Sequence, residues 1–273
     1  MDEIVMDETS ERFATDGVVR VRGLIGPGDL EALRAAAARR RETPGPFVQR
    51  FGENPDGGCF HSDLHCWRDD EDVARIALRS PIAHVMRRLL ASKSLRLLYD
   101  QLLIKDPGAR SPTPWHHDLP FWPFFGRQIA SCWIALDPVD EENGGVHYAP
   151  GSHRSAARYR PTQPVNARTR RMKNMDLPEC PDLFRRGGAT VQAWPLEPGD
   201  ALIFHALTLH GGRANRSERP RRAWVFRYAG DDVRSVSGEH VLQFPEREAL
   251  EDGAKLSETR FPSAPGDSAA PWS

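Results

Sequence analysis

The chain has 273 residues and a mass of 30.6 kDa, with 37 basic and 38 acidic side chains. This length allows a sizeable buried core, and the balanced charge gives no global field that would attract nucleic acid or a membrane surface. Four cysteines without a CxxC pair argue against a disulfide framework and favour a reduced, cytoplasmic protein. No apolar run approaches membrane-spanning length, and the acidic start MDEIVMDETSERF lacks the apolar core of a secretory signal.

The N-terminal part, residues 1–94, is predicted to be mainly helical. Alternating valines between turn residues indicate a strand within residues 15–24, and a helix follows from Pro27 to about Arg41. Asp29 is the expected N-cap of this helix, because its side chain can accept a hydrogen bond from a free backbone N–H.

Residues 43–67 combine glycine, proline and aromatic residues without a repeating apolar pattern, so we expect a long loop. Two short helices should follow this loop. Acidic residues 69–72 start the first helix, and the Ser80-Pro81 pair starts the second, which carries an apolar stripe at helical spacing.

Short β-rich segments replace the helices from Leu95 onward, and turn sequences such as DPG, ENGG and EPGD separate them. The segments are 95–105, 129–136, 145–149, 191–196, 201–206 and 222–228. Many short strands without intervening helices are typical of antiparallel β folds. We therefore expect a mostly β protein with flanking helices, whose core at 95–230 is a sandwich or barrel such as a double-sheet jelly roll.

Residues 154–190 interrupt the strands with nine Arg or Lys against three acidic residues and no apolar period. We interpret this segment as a solvated loop or lid. Recognition of an anionic substrate, such as a carboxylate or CoA phosphates, is the alternative. Residues 1–260 should form one domain, and the Ser-, Pro- and Ala-rich residues 261–273 a disordered tail.

Two histidine–x–aspartate pairs are candidate metal ligands, His116/Asp118 and His61/Asp63. Side chains two apart on a strand lie on one face, so either pair can present a nitrogen and an oxygen to one metal ion. The pair at 116 follows a strand and is flanked by aromatic residues, where burial without a shared partner would be costly. His117, between the two, points the other way and is expected to pack or to support its neighbours.

The pair at 61 lies in a glycine-rich stretch together with Cys59, His65 and Cys66, which makes a zinc site conceivable. Structural zinc sites usually join ligand pairs that are far apart in sequence, whereas these candidates crowd into one loop. A polar loop is therefore the favoured interpretation.

A facial metal site needs a third ligand, and the downstream segment offers His205 and His210. Because they are five residues apart, they face opposite sides of a continuous strand. His205 lies within an apolar strand, where a hydrogen-bonded core histidine is common. His210 precedes Gly211 and Gly212, where backbone can pack closely beside a bound group.

Arg221 and Arg222 begin the strand RRAWVFRY, whose alternation directs one of them inward. An inward guanidinium in a small barrel needs an anion, and its planar fork matches a carboxylate. The alternation alone leaves open which of the two arginines this is.

Four stretches together resemble the phytanoyl-CoA dioxygenase family, a branch of the Fe(II)- and 2-oxoglutarate-dependent oxygenases. They are FATDGVVRVRGLIGPGDLEAL, PTPWHHD, CWIALDPVDEENGGVHYAPGSHR, and GDALIFHALTLHGGRANRS followed by PRRAW, spread over about residues 13–228. The resemblance implies a double-stranded β-helix, which is a cupin-like jelly roll, with N-terminal helices. It also implies iron held by two histidines and one carboxylate, for which the matching positions are His116, Asp118 and His210.

The same resemblance implies which residues bind 2-oxoglutarate. Arg221 best fits the spacing of the arginine that pairs with the distal carboxylate, with Arg222 as the alternative. Trp133 matches a tryptophan that lines the pocket. The polar candidates on the strand before the HxD pair are Gln101 and Lys105. Gly212 stands where a small hydroxyl residue often lies, so that hydrogen bond must come from elsewhere or be missing.

Fe(II), 2-oxoglutarate and O2 are therefore the implied cofactor and co-substrates, and the substrate is expected to be a small molecule. Related halogenases replace the metal-binding aspartate by a small residue, so Asp118 favours hydroxylation over halogenation, while desaturation, epoxidation and ring closure stay open. We expect a bacterial natural-product tailoring enzyme; an acyl-CoA hydroxylase and a cupin-type metal enzyme without 2-oxoglutarate are the alternatives. The aromatic cluster at 121–125 fits a substrate wall or ordinary core. A monomer or homodimer without nucleic-acid or membrane partners is expected.

Overall fold

Two antiparallel sheets face each other across an apolar interior in the computed structural model, which describes residues 3–52, 58–162, 171–185, 190–246 and 249–264. The helices are α1 (Glu3–Asp16), α2 (Pro27–Glu42), α3 (Glu71–Arg79) and α4 (Pro81–Leu89), with short 3-10 helices at Cys66–Arg68, Leu119–Phe121 and Ser152–Arg154. The first strands are β1 (Val18–Val21), β2 (Gln49–Phe51), β3 (Phe60–Leu64), β4 (Arg96–Lys105), β5 (Thr113–His116), β6 (Phe124–Phe125) and β7 (Ile129–Ala135). The remaining strands are β8 (Val146–Tyr148), β9 (Gln192–Ala193), β10 (Ala201–His205), β11 (His210–Gly212), β12 (Arg221–Ala229) and β13 (Arg234–Ser235).

The larger sheet has the strand order β1-β10-β7-β12-β4-β3-β2, and the smaller has the order β5-β11-β8-β9. Strands β13 and β6 form a separate pair. Apolar side chains from both sheets meet between them, for example Phe204 and Tyr148, whose ring centroids are 5.2 Å apart. The predicted double-stranded β-helix with flanking helices is confirmed. We refer to the space between the two sheets as the barrel interior.

Strand β12 shows how alternation sorts the side chains. Trp224 and Phe226 point outward and pack against the helices, whereas Ala223 and Val225 point into the barrel interior. The pairing of β12 with its neighbours defines rows of inward side chains across the larger sheet, which we call rungs. The Arg227 rung contains Tyr99, Arg227, Ser131 and Phe204, the next contains Gln101, Val225, Trp133 and Leu202, and the Arg221 rung contains Phe60, Lys105 and Arg221.

The four helices cover the outer face of the larger sheet. Fully buried Leu33, Ile76 and Met86 pack there with the outward residues of the strands. Helices α3 and α4 begin as expected, because the side chain of Asp70 accepts a hydrogen bond from Val73 N and that of Ser80 from Ile82 N. Among the described residues, no helix is both long and apolar enough to cross a membrane.

Two predictions for the N-terminal part were wrong. Residues 43–67 are not one loop, because β2 and β3 form there and β3 pairs with β4 along its length. The alternation of buried Phe60 and Ser62 is short, and the glycine-rich stretch before it hides it. Asp29 is not the N-cap of α2, because Pro27 starts the helix after Gly26 and Asp29 lies in its first turn, paired with Arg75.

The chain ends carry two further differences from the expectation. Helix α1 was not foreseen, because its buried apolar residues Met6 and Phe13 are seven positions apart with polar and charged residues between them. A disordered tail was predicted from residue 261, but residues 261–264 pack on β4. Phe261 is fully buried, and Leu97 N donates to Pro262 O and Ala264 N to Leu95 O. Residues 265–273 lie outside the described residues.

Trp224→Phe should lower the free energy of unfolding by about 1–3 kcal/mol, because it removes the donor to a buried carboxylate. Trp224 Nε1 donates to Asp100 Oδ2 at 2.7 Å, and Trp67 N donates to the other oxygen. Burial raises the pKa of Asp100 to about 6. Since this pKa is above its unfolded value, stability contributed by protonated Asp100 is lost as pH rises through that range.

The loss caused by Trp224→Phe should therefore be larger well above this pKa than well below it, where Asp100 is neutral in the folded state. Urea unfolding of the wild-type and variant proteins at both pH values measures the difference. Phe226→Leu is the control, because it also reduces ring volume on the outer face without removing a donor. A loss for Trp224→Phe that is the same at both pH values would contradict the assigned role of Asp100.

Candidate active site

The three predicted metal ligands lie together where β5 meets β11. His116 is the last residue of β5 and pairs with His210, the first residue of β11, so that their ring centroids are 4.2 Å apart. Asp118 follows the end of β5 in a helical conformation (φ −71°, ψ −39°) at the start of a 3-10 helix. The aspartate therefore reaches the histidines through a turn, and not through the strand alternation that the HxD spacing indicated.

The ligand atoms of this triad converge on one point. His116 Nε2 lies 3.5 Å and His210 Nε2 3.7 Å from Asp118 Oδ1, and the three candidate ligand atoms all lie within 4.8 Å of one another. Two imidazole nitrogens and one carboxylate oxygen on one side of a site are the ligand set of non-haem Fe(II) oxygenases, with positions left for other ligands. The residues present therefore fit a divalent iron ion.

Hydrogen bonds to the backbone orient both histidines. Nδ1 of His116 lies 2.8 Å from Pro114 O, and Nδ1 of His210 lies 3.0 Å from Thr208 O. A carbonyl can only accept, so Nδ1–H donates in each ring and the lone pair of Nε2 faces the shared point. Burial lowers the pKa of His210 to about 3, which keeps this imidazole neutral and able to bind a metal.

Asp118 is held through its second oxygen. Ser131 Oγ donates to Asp118 Oδ2 at 3.0 Å, and Arg227 Nε lies 3.8 Å from the same atom, so that Oδ1 faces the histidines. Burial favours a raised pKa for Asp118, but His210, His116 and Arg227 around the carboxylate outweigh it and hold the pKa well below its usual value. The carboxylate is therefore ionised.

Arg221 lies at the other end of the barrel interior with unused donors. It is 2% exposed, its Nε and Nη1 have no hydrogen-bond partner among the described residues, and its guanidinium lies 5.4 Å from the ring centroid of Trp133. Burial lowers its pKa to about 10. Arg222 points outward and forms a bidentate pair with Asp137, at 2.9 and 2.6 Å. Of the two candidates, Arg221 alone faces the interior.

Lys105 lies directly opposite Arg221 on β4. Its Nζ donates to Arg213 O at 2.6 Å, and burial together with the charge of Arg221 lowers its pKa well below the usual value. A Cβ added to Gly212 would lie 3.5 Å from this Nζ, so the lysine occupies the neighbourhood of the missing hydroxyl side chain. Two buried basic groups side by side favour an anion between them.

Gln101 is engaged elsewhere. Its Nε2 donates to Ser62 Oγ at 2.6 Å, and its Oε1 accepts from Arg227 Nη2 at 2.6 Å. It belongs to the rung of Val225, nearer to the triad than Lys105 is. The two candidates on β4 therefore lie at different depths, and Lys105 is the one beside Arg221.

The other histidines next to the triad have structural partners. His205 Nε2 donates to Arg127 O at 2.8 Å and its Nδ1 accepts from Leu207 N, as the core interpretation predicted. His117 faces away from the triad, and its Nε2 accepts from Tyr159 N at 3.0 Å. Burial lowers the pKa of both rings to about 4. The HxD spacing, and not the adjacent pair of histidines at 116 and 117, therefore identified His116 and Asp118 as the candidate ligands.

The second HxD pair, His61/Asp63, does not assemble a comparable centre. Asp63 Oδ2 accepts from Gly45 N at 2.8 Å. Cys59, His61 and Asp106 do bring ligand atoms within 4.8 Å of one another, but Arg41 donates to both oxygens of Asp106, at 2.5 and 3.1 Å. This bidentate cation supplies the counter-charge that a metal ion would otherwise provide.

The aromatic cluster at 121–125 divides between the two expected roles. Phe121 lies beside the triad, with its ring centroid 5.6 Å from that of His116. Trp122 and Phe124 are buried in a core cluster, whereas Phe125 is 49% exposed. Phe121 therefore belongs to the wall of the site.

The described part of the basic segment at 154–190 contains paired or internally bonded arginines. Arg160 contacts Glu179, Arg185 lies 3.4 Å from Asp182, and Arg158 donates to two nearby carbonyls. Residues 163–170 and 186–189 lie outside the described residues. Arg158, Arg160 and Arg185 therefore have local partners.

Sequence reasoning missed Ser131 and Arg227. Both point inward on strands that already held predicted residues, because Ser131 is two residues before Trp133 on β7 and Arg227 is six after Arg221 on β12. Strand alternation would have identified both once the inward face was known.

Comparisons with known proteins agree with this geometry. The sequence model of the family described as "Phytanoyl-CoA dioxygenase (PhyH)" matches residues 13–223. The peroxisomal phytanoyl-CoA dioxygenase of Rattus norvegicus is 23% identical over 84% of this chain and 70% of its own length. The ectoine dioxygenase of Stutzerimonas stutzeri is 25% identical over 84% of this chain and 78% of its own length.

A solved structure extends the similarity to almost the whole chain. The epimerase SnoN, in complex with Fe3+, alpha ketoglutarate and nogalamycin RO, matches with a TM-score of 0.77 and 25% identity. The match covers 97% of this chain and 100% of that structure. The relative is a protein that holds iron together with 2-oxoglutarate, which is also called alpha ketoglutarate.

Replacing His116 or His210 by alanine should reduce Fe(II) binding to background, because each removes one of the converging Nε2 atoms. Anaerobic equilibrium binding of Fe(II) measures the effect. His61→Ala is the matched control, since it removes the histidine of the second HxD pair and should leave binding unchanged. Retained binding in His210→Ala would mean that another residue is the third ligand.

Ser131→Ala should weaken Fe(II) binding by about tenfold, because the hydroxyl fixes the oxygen of Asp118 that faces away from the histidines. The same anaerobic titration gives the dissociation constant. Ser62→Ala, which removes a buried hydroxyl hydrogen-bonded to Gln101, is the control. An unchanged dissociation constant for Ser131→Ala would show that Asp118 needs no such support.

Proposed function

Because the chain belongs to the phytanoyl-CoA dioxygenase family of non-haem iron and 2-oxoglutarate-dependent dioxygenases, we propose that it hydroxylates a C–H bond of a small molecule. Fe(II) is held by His116, Asp118 and His210. One observation carries the proposal. The converging triad shares the barrel interior with Arg221, a buried guanidinium whose free donors need an anion.

When bound, Fe(II), 2-oxoglutarate and O2 supply C–H oxidation coupled to decarboxylation of the co-substrate. The two histidines bind the metal as neutral imidazoles, since their Nδ1–H groups donate to backbone carbonyls. Asp118 contributes its negative charge through Oδ1, while Ser131 holds the other oxygen in place. These contacts orient the ligands before the metal binds.

Arg221 binds the distal carboxylate of 2-oxoglutarate, because its planar fork can donate two hydrogen bonds to that group. Lys105 lies opposite Arg221 and places a second basic group beside the doubly charged 2-oxoglutarate. Trp133 packs beside the guanidinium and keeps water from this end of the pocket. Binding of an anion here offsets the cost of burying two basic side chains.

Two features support hydroxylation of a natural product. Asp118 provides a carboxylate at the third metal-binding position, which is expected of a hydroxylase and not of a halogenase. The relative SnoN is an epimerase from nogalamycin biosynthesis, and another relative is named ectoine dioxygenase, so small molecules are the substrates named for both. A tailoring role in bacterial metabolism is therefore the function we infer.

Two alternatives have less support. An acyl-CoA substrate is favoured by relatives named phytanoyl-CoA dioxygenase, but Arg160 and Arg185 pair with Glu179 and Asp182, which leaves these two cations less available for CoA phosphates. A cupin-type metal enzyme without 2-oxoglutarate has no need of an anion inside the barrel. The inward Arg221 with its unused donors argues against it.

Addition of Fe(II) and then 2-oxoglutarate under anaerobic conditions should produce a weak visible charge-transfer band. The band reports 2-oxoglutarate bound directly to iron. The triad would hold the iron, and Arg221 would hold the distal carboxylate of 2-oxoglutarate. Absorption spectroscopy with the wild-type protein and with Asp118→Ala measures it. No band in the wild-type protein would contradict the proposed function.

Arg221→Ala should raise the dissociation constant of 2-oxoglutarate by about 30-fold or more, because it removes a buried charge that pairs with the carboxylate. Titration of the Fe(II) protein with 2-oxoglutarate gives the constant. Arg222→Ala is the matched control, since this neighbour pairs with Asp137 on the outer side. Equal constants for Arg221→Ala and the wild-type protein would assign the carboxylate to another residue.

A further inference from the structure

A second arginine lies inside the barrel beside the metal ligands. Arg227 is 6% exposed, and its Nε and Nη1 have no hydrogen-bond partner among the described residues. Its guanidinium lies 4.6 Å from the ring centroid of Tyr99 and 5.9 Å from that of Trp122. These rings confine the plane of the guanidinium through cation–π contacts. The side chain is therefore fixed in place with donors to spare.

Arg227 is too far from Arg221 to share the co-substrate with it. The two residues are six positions apart on β12, which corresponds to about 20 Å along the strand. Arg227 instead pairs with Ser131, the residue that bonds Asp118. The two buried arginines therefore lie at opposite ends of the interior, one at the expected 2-oxoglutarate end and one next to the metal ligands.

The charge of Arg227 is not balanced once the metal binds. Among the described residues, the carboxylate at ion-pair distance from Arg227 is that of Asp118, with 3.8 Å between Nε and Oδ2, and this same carboxylate is a proposed ligand of the metal. Gln101, which accepts from Nη2, carries no charge. A buried guanidinium whose anion is shared with a divalent ion is costly unless a further anion approaches it.

We propose that Arg227 binds a carboxylate of the primary substrate, an inference that rests on the proposed function. A planar carboxylate matches the fork of the guanidinium, and its single charge balances one arginine. A phosphate would bring surplus negative charge next to Asp118. The apolar remainder of the substrate would lie against Phe121, whose ring adjoins His116. The C–H bond that is oxidised then lies close to the carboxylate.

The test uses the protein loaded anaerobically with Fe(II) and saturating 2-oxoglutarate, so that Arg221 is already occupied. Benzoate and octanoate are the probes, and benzamide and octanamide are their neutral counterparts. Calorimetric titration should show each acid binding at least about 30-fold more tightly than its amide. Arg227→Gln should remove this preference, Arg227→Lys should keep part of it, and Arg222→Gln, on the outer side of the same strand, should keep all of it.

Failure of this inference is distinguishable from failure of the proposed function. The charge-transfer band that Fe(II) and 2-oxoglutarate form in the wild-type protein reports the latter and does not depend on the substrate. With the band present, absence of acid binding by the wild-type protein, or equal affinity for acids and amides, would overturn the inference. An undiminished preference in Arg227→Gln would overturn it as well. If Arg227→Gln does not fold, the test rests on the difference in affinity between acid and amide in the wild-type protein and on its partial loss in Arg227→Lys.

Discussion

The pairing of β11 with β5 sets His210 directly opposite His116, and the metal centre depends on this register. A shift of one residue would turn the imidazole of His210 to the other face of the sheet, away from its partner. Gly211 and Gly212 permit the close approach, since a Cβ on Gly211 would lie 3.2 Å from Thr113 O. Two ligands that are far apart in sequence are thus joined by backbone hydrogen bonds, and Asp118 completes the set from the adjoining turn.

Charge in a closed interior links the fold to the chemistry. The larger sheet directs basic side chains inward at both ends of one strand, Arg221 and Arg227, while its outer face is apolar and covered by helices. Desolvation makes each inward charge costly until an anion pairs with it. The electrostatics of the barrel therefore favour two anionic groups, one at the Arg221 end and one beside the metal ligands. We assign one to 2-oxoglutarate and infer the other to be the substrate carboxylate.

Much of this arrangement was predictable from the sequence, but not its details. Turn spacing and short β segments predicted the jelly roll, and the HxD pair with the later His210 predicted the ligand set. The family resemblance favoured Arg221 over Arg222, but alternation without an inward reference fits either residue, so which of them faces inward needed the strand register. Ser131 was missed because its role depends on a contact with Asp118 across strands. Strand β3 was missed because its short alternation directly follows a glycine-rich segment.

The most direct test is a crystal structure of the protein grown anaerobically with Fe(II) and 2-oxoglutarate. Anomalous scattering at the iron edge locates the metal independently of its ligands. The account predicts one iron site bound by His116, Asp118 and His210, with the distal carboxylate of 2-oxoglutarate on Arg221. Iron bound at Cys59, His61 and Asp106 instead, or 2-oxoglutarate bound away from Arg221, would contradict it.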